Sequence, residues 1–243
     1  MQVDALAVEL RPRSMTEAAD LGVRMVQANA QSVWRSFVPV YAVVVALALS
    51  TVDIAPWLPA MAIFWLKPWL DRSLLFVLSR AVFGQSTTFM DLWMARRAVW
   101  WPHLAATLSL RRLSPWRSFT QPIEQLEGQL GAARRARTRT ILNGQHGSAL
   151  AMQFAFGNLE LAFIAGILAA TAWFAPPGHP TDAIGWLSRD DSTLAASMMA
   201  LSYAGVVLLV EPFFVAAGFA MYLNRRVQLE AWDVEQEFRR TFT

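Results

Sequence analysis

The sequence predicts an all-α, polytopic membrane helix bundle with four spanning helices, six if two short central segments also cross, plus amphipathic interfacial helices. Three observations carry that expectation. Of 243 residues, 55% are hydrophobic and only 16% charged, against about 25% charged in an average soluble domain. Eleven Trp and fifteen Phe against three Tyr suit an apolar protein with interfacial belts, where Trp settles at headgroup level. Finally, long uncharged runs alternate with arginine clusters. All but one of the 21 Lys and Arg residues are Arg, the exception being Lys67.

The opening MQVDALAVELRPRS lacks the apolar core of a signal peptide, so insertion is expected to depend on the first span. Ser14 and Glu17 have capping-box spacing. Behind them Met15, Ala18, Gly22, Met25, Val26 and Val33 recur at helical intervals among polar residues, predicting an amphipathic helix over 14–34 that leads into a span.

The first span is 36–52, between Arg35 and Asp53. The second is 54–70, opened by Pro56 and Pro59 and interrupted only by Lys67, whose ammonium can snorkel. The third covers 148–175 and the fourth 193–223. Residues 71–147 form a cytoplasmic-side interfacial or re-entrant region. Within it SLLFVLSRAVFG (73–84) reads as an extension of the second helix ending at Gly84. AVWWPHLAATLSL (98–110) reads as a buried or re-entrant helix broken near Pro102. Apolar segments of roughly 10–14 residues are short for a span. Trp116, Phe119, Ile123, Leu126 and Leu130 then make an apolar stripe expected to lie on the membrane. A cytoplasmic helix over 224–240 continues the last span, with Val227, Ala231, Val234 and Phe238 on one face and Arg226–Glu230 and Glu235–Arg239 as (i, i+4) pairs.

Arginine placement orients the chain. Arg24, Arg35, the cluster between the second and third spans, and Arg225–Arg226 all fall on one side, while the connectors carry Asp53, Asp182, Asp190 and Asp191. The sequence therefore predicts a multi-pass membrane protein with both termini cytoplasmic.

Two residues break the apolar pattern. Glu160 lies twelve residues beyond Ser148, and Glu211, followed by Pro212, lies twelve before Leu223. In antiparallel helices both carboxylates sit ~18 Å from the cytoplasmic ends. Gln153 shares the Glu160 face. A carboxylate at that depth costs at least ~2.5–3.5 kcal/mol and needs a proton, a partner or water. Lys67, Arg80, Arg96 and Arg97 are the candidate cations. Glu160, Glu211 and Gln153 read either as a structural polar cluster or as an ion-binding site. Arg134, Arg135, Arg137 and Arg139 of the RRARTR run read as headgroup contacts, or simply as topology determinants.

There are no Cys residues, so thiolate chemistry and sulfur ligation are excluded. His103, His146 and His179 never fall at metal-ligand spacing. Phosphate loops, GxSxG, HExxH, GxGxxG and EF-hand patterns do not occur. The sequence thus predicts no enzyme, no cofactor, no metal and no nucleic-acid partner. It points to lipid and protein partners at the cytoplasmic face, with self-association compatible with the pattern.

LRPRSMTEAADLGVRMVQAN at the start resembles bacterial multi-pass proteins related to the glycerophosphoryl diester phosphodiesterase membrane domain. WLKPWLDRSLLFVLSRAVFG, RRLSPWRSF, QLEG and EPFFVAAGFAMYLNRRVQLEAWDVEQEFRR resemble a family of bacterial inner-membrane proteins often encoded beside MoxR-type ATPases and von Willebrand factor A-type proteins. The resemblance implies an envelope protein in a multi-protein membrane system, with a MoxR-type ATPase system as a candidate partner. It implies no phosphodiesterase activity, since no hydrolase domain accompanies the membrane part. Two functions follow as expectations: a non-enzymatic scaffold or assembly component, and a small transporter or proton-coupled permeation unit using the intramembrane glutamates.

Overall fold

The computed structural model describes residues 12–102, 104–109, 113–174 and 193–230. Ten α-helices and no strands occur among them, so the protein is an all-α helical bundle.

Helix α1 (Met15–Ala28) starts at Ser14, whose Oγ accepts the Glu17 backbone N–H at 3.2 Å. Its buried face is Met15, Ala18, Gly22, Met25 and Val26, the stripe that the spacing predicts. That face packs on the long C-terminal helix α10 (Thr193–Glu230). The approach is so close that a Cβ on Gly22 would lie 2.3 Å from the Ala216 carbonyl oxygen. Asn224 of α10 pins the entry of α1, accepting from the Arg13 N–H and donating to the Arg13 carbonyl, both at 2.9 Å.

Helix α2 (Ala30–Leu49) buries Val33, Phe37, Val40, Tyr41, Val44 and Ala48 and leaves Val38, Val43 and Leu47 exposed. The buried spacing is that of one helical face. Tyr41 crosses to α10 and donates to the Ala204 carbonyl at 2.7 Å.

Helix α3 (Leu58–Ala81) carries Pro59 in its first turn, where orphan backbone donors make proline inexpensive. It runs on through the apolar 73–81 segment as a single helix. The chain leaves it through Gly84, whose φ of 68° is a left-handed conformation that glycine adopts without strain.

Helices α4 (Phe89–Met94), α5 (Arg96–Val99) and α6 (Leu104–Leu108) wrap the flank of α3. Trp69 and Trp100 pack with ring centroids 5.5 Å apart. Trp100 Nε1 donates to Ser73 Oγ at 2.9 Å, and Trp65 Nε1 to the Leu108 carbonyl at 3.0 Å. The segment over 98–110 is therefore held by protein and interrupted around Pro102. His103 and residues 110–112 lie outside the described residues. Neither 73–84 nor 98–110 forms a separate helix of spanning length.

Helix α7 (Arg117–Gln125) departs from the expected membrane-surface placement. Phe119 and Ile123 are fully buried between α3 and α10, while Leu126 and Leu130 stay exposed. Ser118 approaches Gly218 of α10 so closely that a Cβ there would meet Ser118 Oγ at 2.3 Å. The apolar stripe is real, but it faces a protein groove. Polar groups on the same helix explain the choice: Gln121 and Gln125 donate to the Pro68 and Arg72 carbonyls at 3.3 and 2.8 Å.

Helix α8 (Gly131–Leu142) follows, then α9 (His146–Trp173). Of α9 only Ala149 and Met152 are buried; Phe154, Leu161, Phe163 and Trp173 face outward. A helix apolar on all sides and bare of protein is what lipid accommodates. By contrast α10 is central, packing on α1, α2, α3, α7, α8 and α9.

Among the described residues three helices are long and apolar enough to cross a membrane: α2, α9 and α10. At 1.5 Å per residue α10 is ~57 Å long, enough to pass a ~30 Å hydrocarbon core and extend beyond it. Helix α3 has 24 residues but carries Lys67, Asp71, Arg72 and Arg80. By length and composition alone the count is therefore three, and α3, the expected second span, is a charged helix sheltered by its neighbours. The 175–192 connector, with Asp182, Asp190 and Asp191, lies outside the described residues. So do Ala231, Val234, Phe238 and the Glu235–Arg239 pair.

Candidate functional site: a buried ion-pair cluster

Glu211 stands in the middle of α10 and is 1% exposed. Pro212 beside it has no N–H, which releases the Leu208 carbonyl from the helical ladder. Lys67 on α3 reaches this point and lies 2.7 Å from Glu211 Oε2 and 2.8 Å from Glu160 Oε2 on α9. One ammonium thus bridges both glutamates, which fixes them at one level of the bundle. From the start of α7, Arg117 Nη2 donates to Glu211 Oε1 at 2.8 Å. Its Nε lies 3.0 Å from Asp71 Oδ2, and its guanidinium sits over the Phe214 ring at 5.3 Å. Asp71 is fully buried, one turn beyond Lys67 on α3. The cluster therefore ties α3, α7, α9 and α10 together.

Charges out of water cost several kcal/mol each and are tolerated when geometry and hydrogen bonds are good. Here Lys67 and Arg117 each touch two carboxylates. A cavity of about 350 Å³ adjoins the cluster, lined by Lys67, Arg117, Gln153, Glu160 and Glu211 together with Phe64, Phe156 and Phe214. Glu160 is the most open member, its side chain 20% exposed.

Of the cations expected near the glutamates, Lys67 is there and three are elsewhere. Arg80 lies over the Phe76 ring at 5.6 Å. Arg96 lies over Trp93 at 4.8 Å and donates to its carbonyl at 2.9 Å. Arg97 is exposed. Arg117 takes the place assigned to them. Sequence reasoning missed it by laying 116–130 on the membrane surface, and missed Asp71 by treating 71 as beyond the span. The available signal was the Lys67–Asp71 (i, i+4) spacing, which puts both on one helix face.

Two further knots fasten α8. Arg134 Nε lies 3.2 Å from Glu124 Oε2, and Arg72 Nη1 3.6 Å from Glu124 Oε1. Arg137 pairs with Glu127 at 2.8 Å and also contacts Glu230. Arg226 reaches Glu230 at 2.6 Å, the expected (i, i+4) pair, and Tyr222 donates to Glu127 at 2.5 Å. Hydrogen bonds donated to the Glu127 carboxylate hold the Arg137 guanidinium above its ordinary range. Within the RRARTR run Arg134 and Arg137 are thus turned to protein, while Arg135 and Arg139 are exposed. His146 packs its ring edge-on against Trp116. Among the described residues no group of three or more His, Asp or Glu side chains is placed to hold a metal ion.

These elements define a helical membrane protein with a buried ion-pair cluster in its interior. Comparison of the chain with protein-family models, with curated proteins and with solved structures finds no match in any of the three.

Proposed function

We propose that the chain is a non-enzymatic scaffold or assembly component of a bacterial inner-membrane system, with both termini cytoplasmic. The observation that carries this reading is the fastening of α7 and α8 to the bundle through Arg117, Arg134 and Arg137. A segment that would otherwise be a loose cytoplasmic loop becomes a fixed surface, with Arg135 and Arg139 presented outward. Exposed arginines of this kind attract anionic headgroups by about 1 kcal/mol each near the surface and steer acidic protein partners. The sequence resemblance supports a place in a multi-protein envelope system, with a MoxR-type ATPase system as the partner. A photo-crosslinker at Ala136, between the two arginines, should trap that partner in native membranes. The charge reversals Arg135→Glu and Arg139→Glu should abolish the crosslink while insertion is unchanged; equal crosslinking in the reversed variant contradicts the reading.

The cavity favours a second reading, a small permeation unit for protons or cations, because Glu160 and Glu211 both lie on its wall. Under this reading Glu160→Gln in proteoliposomes stops flux without unfolding the bundle. Under the scaffold reading wild-type and variant vesicles are equally tight.

A further inference from the structure

Asp71 occupies the deepest point of the cluster, with no part of it reaching solvent. Its Oδ2 lies 3.0 Å from Arg117 Nε as an ion pair, and among the described residues neither of its oxygens has a hydrogen-bond partner. The neighbouring carboxyl group is that of Glu211, held by the same Arg117 guanidinium, whose Nη2 lies 2.8 Å from Glu211 Oε1. The formal charges of the cluster do not cancel. Asp71, Glu160 and Glu211 supply three negative charges, while Lys67 and Arg117 supply two positive ones. Among the described residues no neighbouring helix makes up the difference. From α2 the facing group is Tyr41, a neutral phenol that donates to the Ala204 carbonyl. On α3 itself Arg72 is turned away, to Glu124 and to the Val99 carbonyl at 2.6 Å. An uncompensated charge in such a place is far more costly than a neutral acid, and two carboxyls in contact do not both ionise.

We propose that the cluster holds one proton, on the Asp71–Glu211 carboxyl pair, with Asp71 the neutral acid. The proton binds at Asp71 Oδ1, and the new O–H donates to a Glu211 oxygen. No other bond changes. The cluster is then two carboxylates against two cations, neutral as a whole, and the carboxyl oxygen that met no donor becomes a donor itself. Glu211 is the member that stays ionised, because it meets both Lys67 and Arg117 whereas Asp71 meets Arg117 alone. Glu160 pairs with Lys67 and is the most exposed member of the cluster. The cavity wall includes Glu211 but not Asp71, so the proton exchanges with the cavity by way of Glu211. The assignment holds under either functional reading above.

Infrared spectroscopy of the full chain in lipid nanodiscs at neutral pH tests this. The expected spectrum contains the C=O stretch of a protonated carboxylic acid, which shifts when aspartate is carbon-13 labelled and stays put when glutamate is labelled. Asp71→Asn removes the band while the melting temperature is kept, since a neutral amide stands in for a neutral acid. Should that variant not fold, aspartate labelling of the wild type still separates a proton on aspartate from one on Glu160 or Glu211. A spectrum without an acid band overturns the proposal, as does a band that follows labelled glutamate. A melting temperature that rises with sodium or potassium, without an acid band, shows a metal cation in place of the proton and overturns it too.

Discussion

Lys67 Nζ lies 2.7 Å from Glu211 Oε2, joining the one lysine of the chain to the carboxylate that precedes Pro212 in the longest helix. Neither side chain is more than 9% exposed. Removing one partner of such a pair is worse than removing both, because the survivor keeps its desolvation cost. Lys67→Met is therefore expected to lower stability by about 3–5 kcal/mol, read by graded denaturant unfolding in mixed micelles. Adding Glu160→Gln to it recovers part of the loss. A single variant as stable as wild type contradicts the account.

Close helix contact makes a second prediction, one that contrasts three glycines. Gly22→Ala drives a Cβ against the α10 backbone, and Gly218→Ala drives one against Ser118, whereas Gly157 has nothing within 4 Å of the added atom. The first two substitutions should each cost about 1–3 kcal/mol as overpacking. Gly157→Ala should be neutral or slightly stabilising, since alanine is the better helix former. Thermal melts of the three variants, compared side by side, check the ordering.

Helix α4 offers a pH test outside the apolar helices. Asp91 accepts from the Thr88 N–H and hydroxyl, both at 2.8 Å, and these bonds hold its carboxyl below the usual value of 3.8. A depressed folded-state value means that the stabilisation is complete above the unfolded value and is lost as pH falls through the folded one. Amide exchange at Leu92 and Trp93 should therefore accelerate only below about pH 3.8. Asp91→Ala should show the accelerated rate at every pH. Equal protection in variant and wild type at neutral pH contradicts the cap.

Glu127 links three helices by accepting from Tyr222 and pairing with Arg137. Glu127→Gln leaves the shape but removes the charge, and hydrogen bonds to charged groups contribute about 1.5–3 kcal/mol each. The expected result is faster proteolysis in 126–145 with the apolar helices intact. Unchanged cleavage there contradicts a fixed α8.

Much of the fold is legible because lipid imposes simple rules. The runs that become α2, α9 and α10 are apolar over spanning length, α9 and α10 each broken midway by one glutamate, and the α1 stripe names its own buried face. Glu160 and Glu211 could be matched in depth by counting, since rise per residue is constant, and Lys67 was the sole cation inside a predicted span. What escaped depends on tertiary choices. An amphipathic segment such as 117–125 fits a membrane surface or a protein groove equally well, and only the groove supplies partners for Gln121, Gln125 and Arg117. The same ambiguity hid Asp71, whose buried carboxyl finds a partner only once Arg117 arrives from α7.

The central claim is that lipid-facing helices enclose a set of charges that satisfy one another. Because Lys67 is the only lysine in the chain, nitrogen-15 lysine labelling gives a single side-chain signal for NMR in nanodiscs. The account predicts a charged ammonium with slowly exchanging protons, whose shift moves in both Glu160→Gln and Glu211→Gln. A rapidly exchanging signal, indifferent to both substitutions, contradicts it.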